Sequence, residues 1–147
     1  MMPIYQQLNS IRAYFDDTVA SVASRYGLKS MEYHVLGFLV NYPEMDSAAE
    51  IVRAIQTTKS HVSITVKELV EKGLLTRQSM QDNHKTVHLK ATEQGKALIE
   101  DSARYFEEYM CTVLDGFTQE ERMLFQSFCD RFTENSRKGI AALQKKP

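Results

Sequence analysis

The feature that most narrows what this chain can fold into is a change of period in its middle. Up to Gly73, apolar residues recur every three or four positions, the spacing of a helix with one buried face. Leu74–Ser79 then suits a strand. Lys85–Lys90 places Thr86, His88 and Lys90 on one face and Val87 and Leu89 on the other. From Thr92 onward helical spacing returns. A single polar-tipped hairpin set between helices predicts a mainly α fold with a small β-hairpin. The segment Met80–His84 is read as the hairpin's turn; it has no Asn-Gly or Asp-Gly to tighten it.

Local signals divide the helical parts. Ile4, Leu8, Ile11, Phe15, Val19 and Val22 form one stripe from Pro3 to Arg25, with Gly27 placed to stop it. Ser30 is read as the cap of a second helix carrying Val35, Leu36, Leu39 and Val40, which Pro43 ends. Asp46 or Ser47 caps a third, short helix, and Ser47 with Glu50 has capping-box spacing; Ile51, Val52 and Ile55 form its buried side. Thr58 caps a fourth helix, Lys59 to Lys72, whose inner face is Val62, Thr65, Val66, Leu69 and Val70, with Gly73 as a left-handed cap. Thr92 caps a long fifth helix to about Gly116, with an apolar set of Ile99, Ala103, Phe106, Met110, Val113 and Phe117. Thr118 and Glu121 open a sixth, with Phe125, Phe128, Phe132 and Leu143 along one side.

Short helix, turn, longer helix, glycine, hairpin and long helix, in that order, describe a winged helix-turn-helix. In this arrangement the fourth helix lies in the major groove of duplex DNA, the third supports it across the backbone, and the hairpin reaches along the duplex. Thr57, Thr58, Lys59, Ser60, His61 and Ser63 suit that role. They are short or basic groups at a helix N-terminus, where free N–H groups and the positive dipole end favour phosphate. Charge agrees. The chain's net charge is −1, yet from Arg53 to Lys90 seven basic residues face three acidic ones, and the remainder is acidic. Arg77 is read as reaching phosphate or pairing with Asp82.

The run Thr58-Lys59-Ser60-His61-Val62-Ser63-Ile64-Thr65-Val66-Lys67-Glu68-Leu69-Val70-Glu71-Lys72-Gly73-Leu74-Leu75-Thr76-Arg77 resembles the recognition helix and first wing strand of the MarR (multiple antibiotic resistance regulator) family. Asp82-Asn83-His84-Lys85 and Leu89-Lys90-Ala91-Thr92-Glu93-Gln94-Gly95 resemble its wing and following helix, and the six-helix order extends the likeness along the chain. The resemblance implies one unit over 1–147, with a DNA-binding lobe at 30–91 and dimerisation helices at 3–27 and 92–144. It implies an obligate homodimer whose two wings bind a pseudo-palindromic operator, and a regulator, here read as a repressor, released by a small-molecule effector. The DNA-binding set is then Thr58, Lys59, Ser60, His61, Ser63, Ile64, Lys67, Arg77, His84 and Lys85. Two departures stand out: Ile64 lies where many relatives carry Arg, and the wing's Asp-x-Arg pattern is missing. Counting back from Thr92 makes Lys85 the wing cation; counting from Asp82 makes it His84.

Other functions find less support. Catalysis would need a convergent nucleophile, base and oxyanion site or a phosphate-binding glycine loop, and none is visible among only six glycines. A winged-helix module that binds protein rather than DNA is the alternative. Glu32, His34, His61, His84 and His88 offer donors for a metal, but no His-x3-His or Cys-x2-Cys pair exists, so neither metal nor cofactor is expected. Cys111 and Cys129 read as core or interface thiols of a cytoplasmic protein, not as a disulfide framework. No apolar run approaches the ~18–20 residues of a membrane span, and the first residues lack a basic segment followed by an apolar one, so no secretory signal is read. Of the aromatics Tyr14, Tyr26, Tyr33, Tyr105, Phe106 and Tyr109, the tyrosines Tyr14, Tyr33 and Tyr105 are candidates for an effector pocket.

Overall fold

The computed structural model describes residues 3–80 and 83–144. Its elements run α1 (Ile4–Arg25), α2 (Ser30–Asn41), α3 (Ala48–Ile55), α4 (Lys59–Glu71), β1 (Leu75–Met80), β2 (Asn83–Ala91), α5 (Glu93–Val113) and α6 (Gln119–Gln144). Two compact units divide at Tyr109 and Met110. The first holds the core: Val19, Val22 and Ala23 of α1, Val35, Leu36 and Leu39 of α2, Ile51 of α3, and Val62, Val66 and Leu69 of α4. Leu74, Leu75, Leu89 and Ala91 close it from the hairpin side. In the second unit, Thr118 and Glu121 exchange hydrogen bonds at the start of α6.

Local chemistry accounts for the breaks. Gly73 takes φ +72°, with its N–H bonded to the Val70 carbonyl and the Leu74 N–H bonded to the Leu69 carbonyl. This closes the end of α4 and sends the chain directly into β1. The turn between α3 and α4 instead uses Gln56 in the left-handed region, at φ 56° and ψ 50°. A side chain there costs about 1–2 kcal/mol, which glycine avoids at some entropic expense. Gln56→Gly should therefore raise stability by about 0.5–1 kcal/mol, read as a higher melting temperature by calorimetry, whereas Gln56→Val should lower it.

β1 and β2 pair antiparallel, with Leu75 opposite Ala91, Arg77 opposite Leu89 and Ser79 opposite Val87; the register breaks between Ser79 and Met80. An ion pair on a buried carboxylate joins α2 to the end of α4. Glu32 is fully buried, with the Lys72 ammonium 2.8 Å from its carboxylate, and it accepts the Lys29 N–H at 2.7 Å. Lys72 also donates to the Gly27 carbonyl. The start of α2 with the turn before it and the end of α4, distant in sequence, thus meet at one carboxylate.

Several sequence expectations need correction. Ser30 is the first residue of α2, not its cap; Lys29 holds that position and Glu32 reaches back to its N–H. Of the turn expected over Met80–His84, Met80 belongs to β1 and Asn83 and His84 to β2, with 81–82 outside the described residues. α5 stops at Val113, before Gly116. Its buried residues are Gly95, Ser102 and Tyr109; of the expected apolar set, Ile99 and Phe106 pack against the core, whereas Ala103, Met110 and Phe117 are exposed. The Ser102 hydroxyl satisfies itself on the Ile99 carbonyl and pairs with the Tyr33 hydroxyl at 2.5 Å, so a small polar residue occupies the packing face. Cys111 is exposed, not core. In α1 only the C-terminal part of the stripe is buried; Ile4, Leu8 and Ile11 are 68%, 44% and 45% exposed.

Candidate nucleic-acid interface

The cap of α4 fixes which of its residues face outward. Thr58 accepts the His61 N–H at 3.2 Å, and Thr57 Oγ1 lies 3.3 Å from His61 Nδ1. With Val62, Thr65, Val66 and Leu69 turned into the core, helical geometry sends the other positions outward. Thr58, Lys59, Ser60, His61, Ser63, Ile64 and Lys67 are all exposed. Lys67 lies 3.9 Å from Glu71, a weak surface pair that leaves its charge available.

The wing completes a concave surface. Arg77 is exposed on β1, and a groove of about 210 Å³ is lined by Lys59, Ser63, Arg77 and the apolar residues Ala48, Val62, Val66, Val87 and Leu89. Lys59, Ser63 and Arg77, 18 positions apart at the extremes, therefore border one groove. Lys59 also borders a second hollow with Ala48, Ala49, Val52 and Arg53. Arg53, exposed on α3, is a basic residue that the motif reading left out of the contact set. The basic bias from Arg53 onward was its signal. The side chains of His84 and Lys85, and all of Asp82, lie outside the described residues, so the two wing alignments and an Arg77–Asp82 pair are not compared.

Around α3 the electrostatics are settled by capping. Hydrogen bonds from the Ser47 hydroxyl and N–H hold the Glu50 carboxyl below the usual carboxylate range. Glu50 is thus anionic and committed to its cap. Among the described residues no group of three or more His, Cys, Asp or Glu is placed to hold a metal ion, and no helix is long and apolar enough to cross a membrane.

The three candidate effector tyrosines lie where α1 and α2 meet α5. Tyr14 packs on Tyr109, with ring centroids 4.9 Å apart. Tyr33 is buried, stacks on Phe106 and pairs with Ser102; burial pushes its phenol up, so it remains an O–H at neutral pH. Tyr105 lies between the Arg25 and Arg104 guanidiniums, each 4.9 Å from its ring.

Residues 26–85, which hold α2 through most of the hairpin, match the model of the MarR family. Over those residues the chain matches MarR-family transcription regulators. It is 30% identical over 128 residues to the HTH-type transcriptional regulator YhjH of Bacillus subtilis, covering 84% of itself and 66% of that relative. It thus spans just under two thirds of YhjH. It is 24% identical over 132 residues to the HTH-type transcriptional regulator PecS of Dickeya dadantii, covering 88% of itself and 80% of PecS. Its fold matches a MarR-family regulator from Listeria monocytogenes solved with 26mer DNA, with a TM-score of 0.83 at 20% identity over 99% of this chain and 96% of that one. It also matches the Staphylococcus aureus MepR–DNA complex, with a TM-score of 0.74 at 18% identity over 92% and 98%.

Proposed function

We propose that this chain is a homodimeric MarR-family repressor that reads a pseudo-palindromic operator with α4 and is released by a small-molecule effector. The observation that carries the reading is the groove where Lys59 and Ser63 of the recognition helix face Arg77 of the wing. Buried Val62, Val66 and Leu89 hold these polar groups from behind. The contact set is Thr58, Lys59, Ser60, His61, Ser63, Ile64, Lys67 and Arg77, with Arg53 added as a phosphate contact and His84 or Lys85 at the wing tip. Cations bordering a groove supply the sequence-independent attraction, and the short polar residues of α4 approach base edges. The Listeria and MepR structures, both solved with DNA, support the same use of this fold.

Selection from a random-sequence duplex library tests this. We expect enrichment of a two-fold symmetric site, its half-sites about one helical turn apart. Recovery of no enriched sequence contradicts the proposal.

The dimer rests on apolar surface that each unit leaves uncovered by itself. Ile4, Leu8 and Ile11 of α1 are exposed in the first unit, and Phe125, Phe128 and Phe132 of α6 in the second. Contiguous apolar faces of this kind are rare on monomers, and a second copy presents the same faces. The lobe at 30–91 then binds DNA, and 3–27 with 92–144 dimerise. Sedimentation equilibrium should give a dimer at about 10 μM, where an interlocked interface of obligate size stays closed; a folded monomer there contradicts it. For release, the effector engages the α1–α2–α5 region of Tyr14, Tyr33 and Tyr105.

A further inference from the structure

We propose that Asp46 and His88 form a positioning pair that fixes the wing against the recognition helix and so sets how tightly the protein holds duplex DNA. The proposal rests on the DNA-binding reading above and adds to it a pair of residues outside the contact set.

The geometry is a two-point attachment. His88 Nδ1 lies 2.7 Å from Asp46 Oδ1, and the N–H of the next residue, Leu89, donates to the Asp46 main-chain carbonyl at 2.9 Å. One residue of the loop before α3 therefore holds two consecutive residues of β2, by side chain and by main chain. Both side chains are about two-thirds covered, at 32% and 29% exposure, so the bond is partly shielded from water.

Its position makes the attachment consequential. Asp46 immediately precedes Ser47, the cap of α3, and α3 packs on α4. Leu89 lies opposite Arg77 in the ladder and lines the same groove as Lys59 and Ser63. Besides the direct step from α4 through Gly73 into β1, a second path from the recognition helix to Arg77 thus runs through α3, Asp46 and β2. A two-stranded ribbon is barely stable alone and does not fix its own orientation. Core packing of Leu75, Leu89 and Ala91 holds it from outside, and Asp46 adds the two bonds.

A neutral imidazole with its proton on Nδ1 donates to the Asp46 carboxylate. The charged groups facing His88 are Asp46 and Glu50 in the first turn of α3; Arg53 in turn acts on Glu50.

The test is fluorescence anisotropy of full-length protein on a duplex that the wild type selects from a random library, with melting temperatures measured alongside. Asp46→Ala removes the side-chain acceptor and leaves the main-chain bond to Leu89 in place. We expect it to weaken binding roughly three- to tenfold. Adding His88→Gln to Asp46→Ala should cost little more, because the interaction is already lost. If Asp46→Ala melts below the assay temperature, His88→Gln alone is read in the same way. Equal affinity, or additive losses, overturn the pair's role while leaving the DNA reading intact. Failure of the wild type to bind any selected duplex removes that reading and the pair's role together.

Discussion

Ser60→Glu is expected to abolish operator binding while making the folded protein slightly more stable. Ser60 is exposed in the first turn of α4, two residues after the Thr58 cap. A carboxylate there meets the positive end of the helix dipole and adds about 0.3–1 kcal/mol. Against a phosphate backbone the same charge is repelled. Like-charge contact at an interface costs several kcal/mol, and about 3 kcal/mol already exceeds a hundredfold in affinity. Ser63→Glu, beside Lys59 and Arg77 in the groove, should lose binding comparably with stability within about 0.5 kcal/mol of wild type. Anisotropy and thermal melts on the same samples check both. Loss of binding with a matching fall in melting temperature would mean that α4 is rotated from the orientation described.

The largest stability effect is expected at Gly95. A Cβ built there would lie 2.5 Å from the Leu74 carbonyl oxygen and 3.0 Å from a Leu36 methyl. The neighbouring bonds leave the backbone little room to retreat. Thr92 N–H donates to Leu74 O, Thr92 Oγ1 donates to Gly73 O, and Gly95 N–H donates to Thr92 Oγ1. Alanine normally improves a helix by about 1 kcal/mol over glycine, but overpacking against backbone costs about 1–3 kcal/mol. We expect overpacking to win, with Gly95→Val worse than Gly95→Ala. Gly139 of α6 supplies the control: nothing lies within 4 Å of its built Cβ, so Gly139→Ala should stabilise. A Gly95→Ala protein melting at or above wild type contradicts the close approach.

These effects differ in how far the sequence reveals them. Thr58, Ser47 with Glu50, Thr118 with Glu121, and Gly73 were legible because each cap is a local bargain among residues within a few positions. Lys29 was not, because the Glu32 side chain supplies the cap bond and the residue type at position 29 matters little. The inner face of α5 was legible only in part. Hydrophobic spacing selects Ile99 and Phe106, which pack against the core, together with Ala103, Met110 and Phe117, which are exposed, while close packing selects Gly95, Ser102 and Tyr109. Two of those three carry little or no apolar side chain, so periodicity passes over them. Within the site, the outward residues of α4 followed from its buried face. The meeting of Lys59 and Ser63 with Arg77, the nearness of Arg53 to Lys59, and the Asp46–His88 bond depend on how the wing folds back. No local pattern encodes those distances.

The most direct test of the central claim, that the exposed N-terminal face of α4 and the wing read duplex DNA, is amide hydrogen exchange of the full chain with and without a selected duplex. The account predicts slower exchange concentrated from Thr57 to Lys67 and around Arg77, with the buried amides of α2 little changed. Protection confined to α5 and α6, with α4 exchanging as in the free protein, would contradict it.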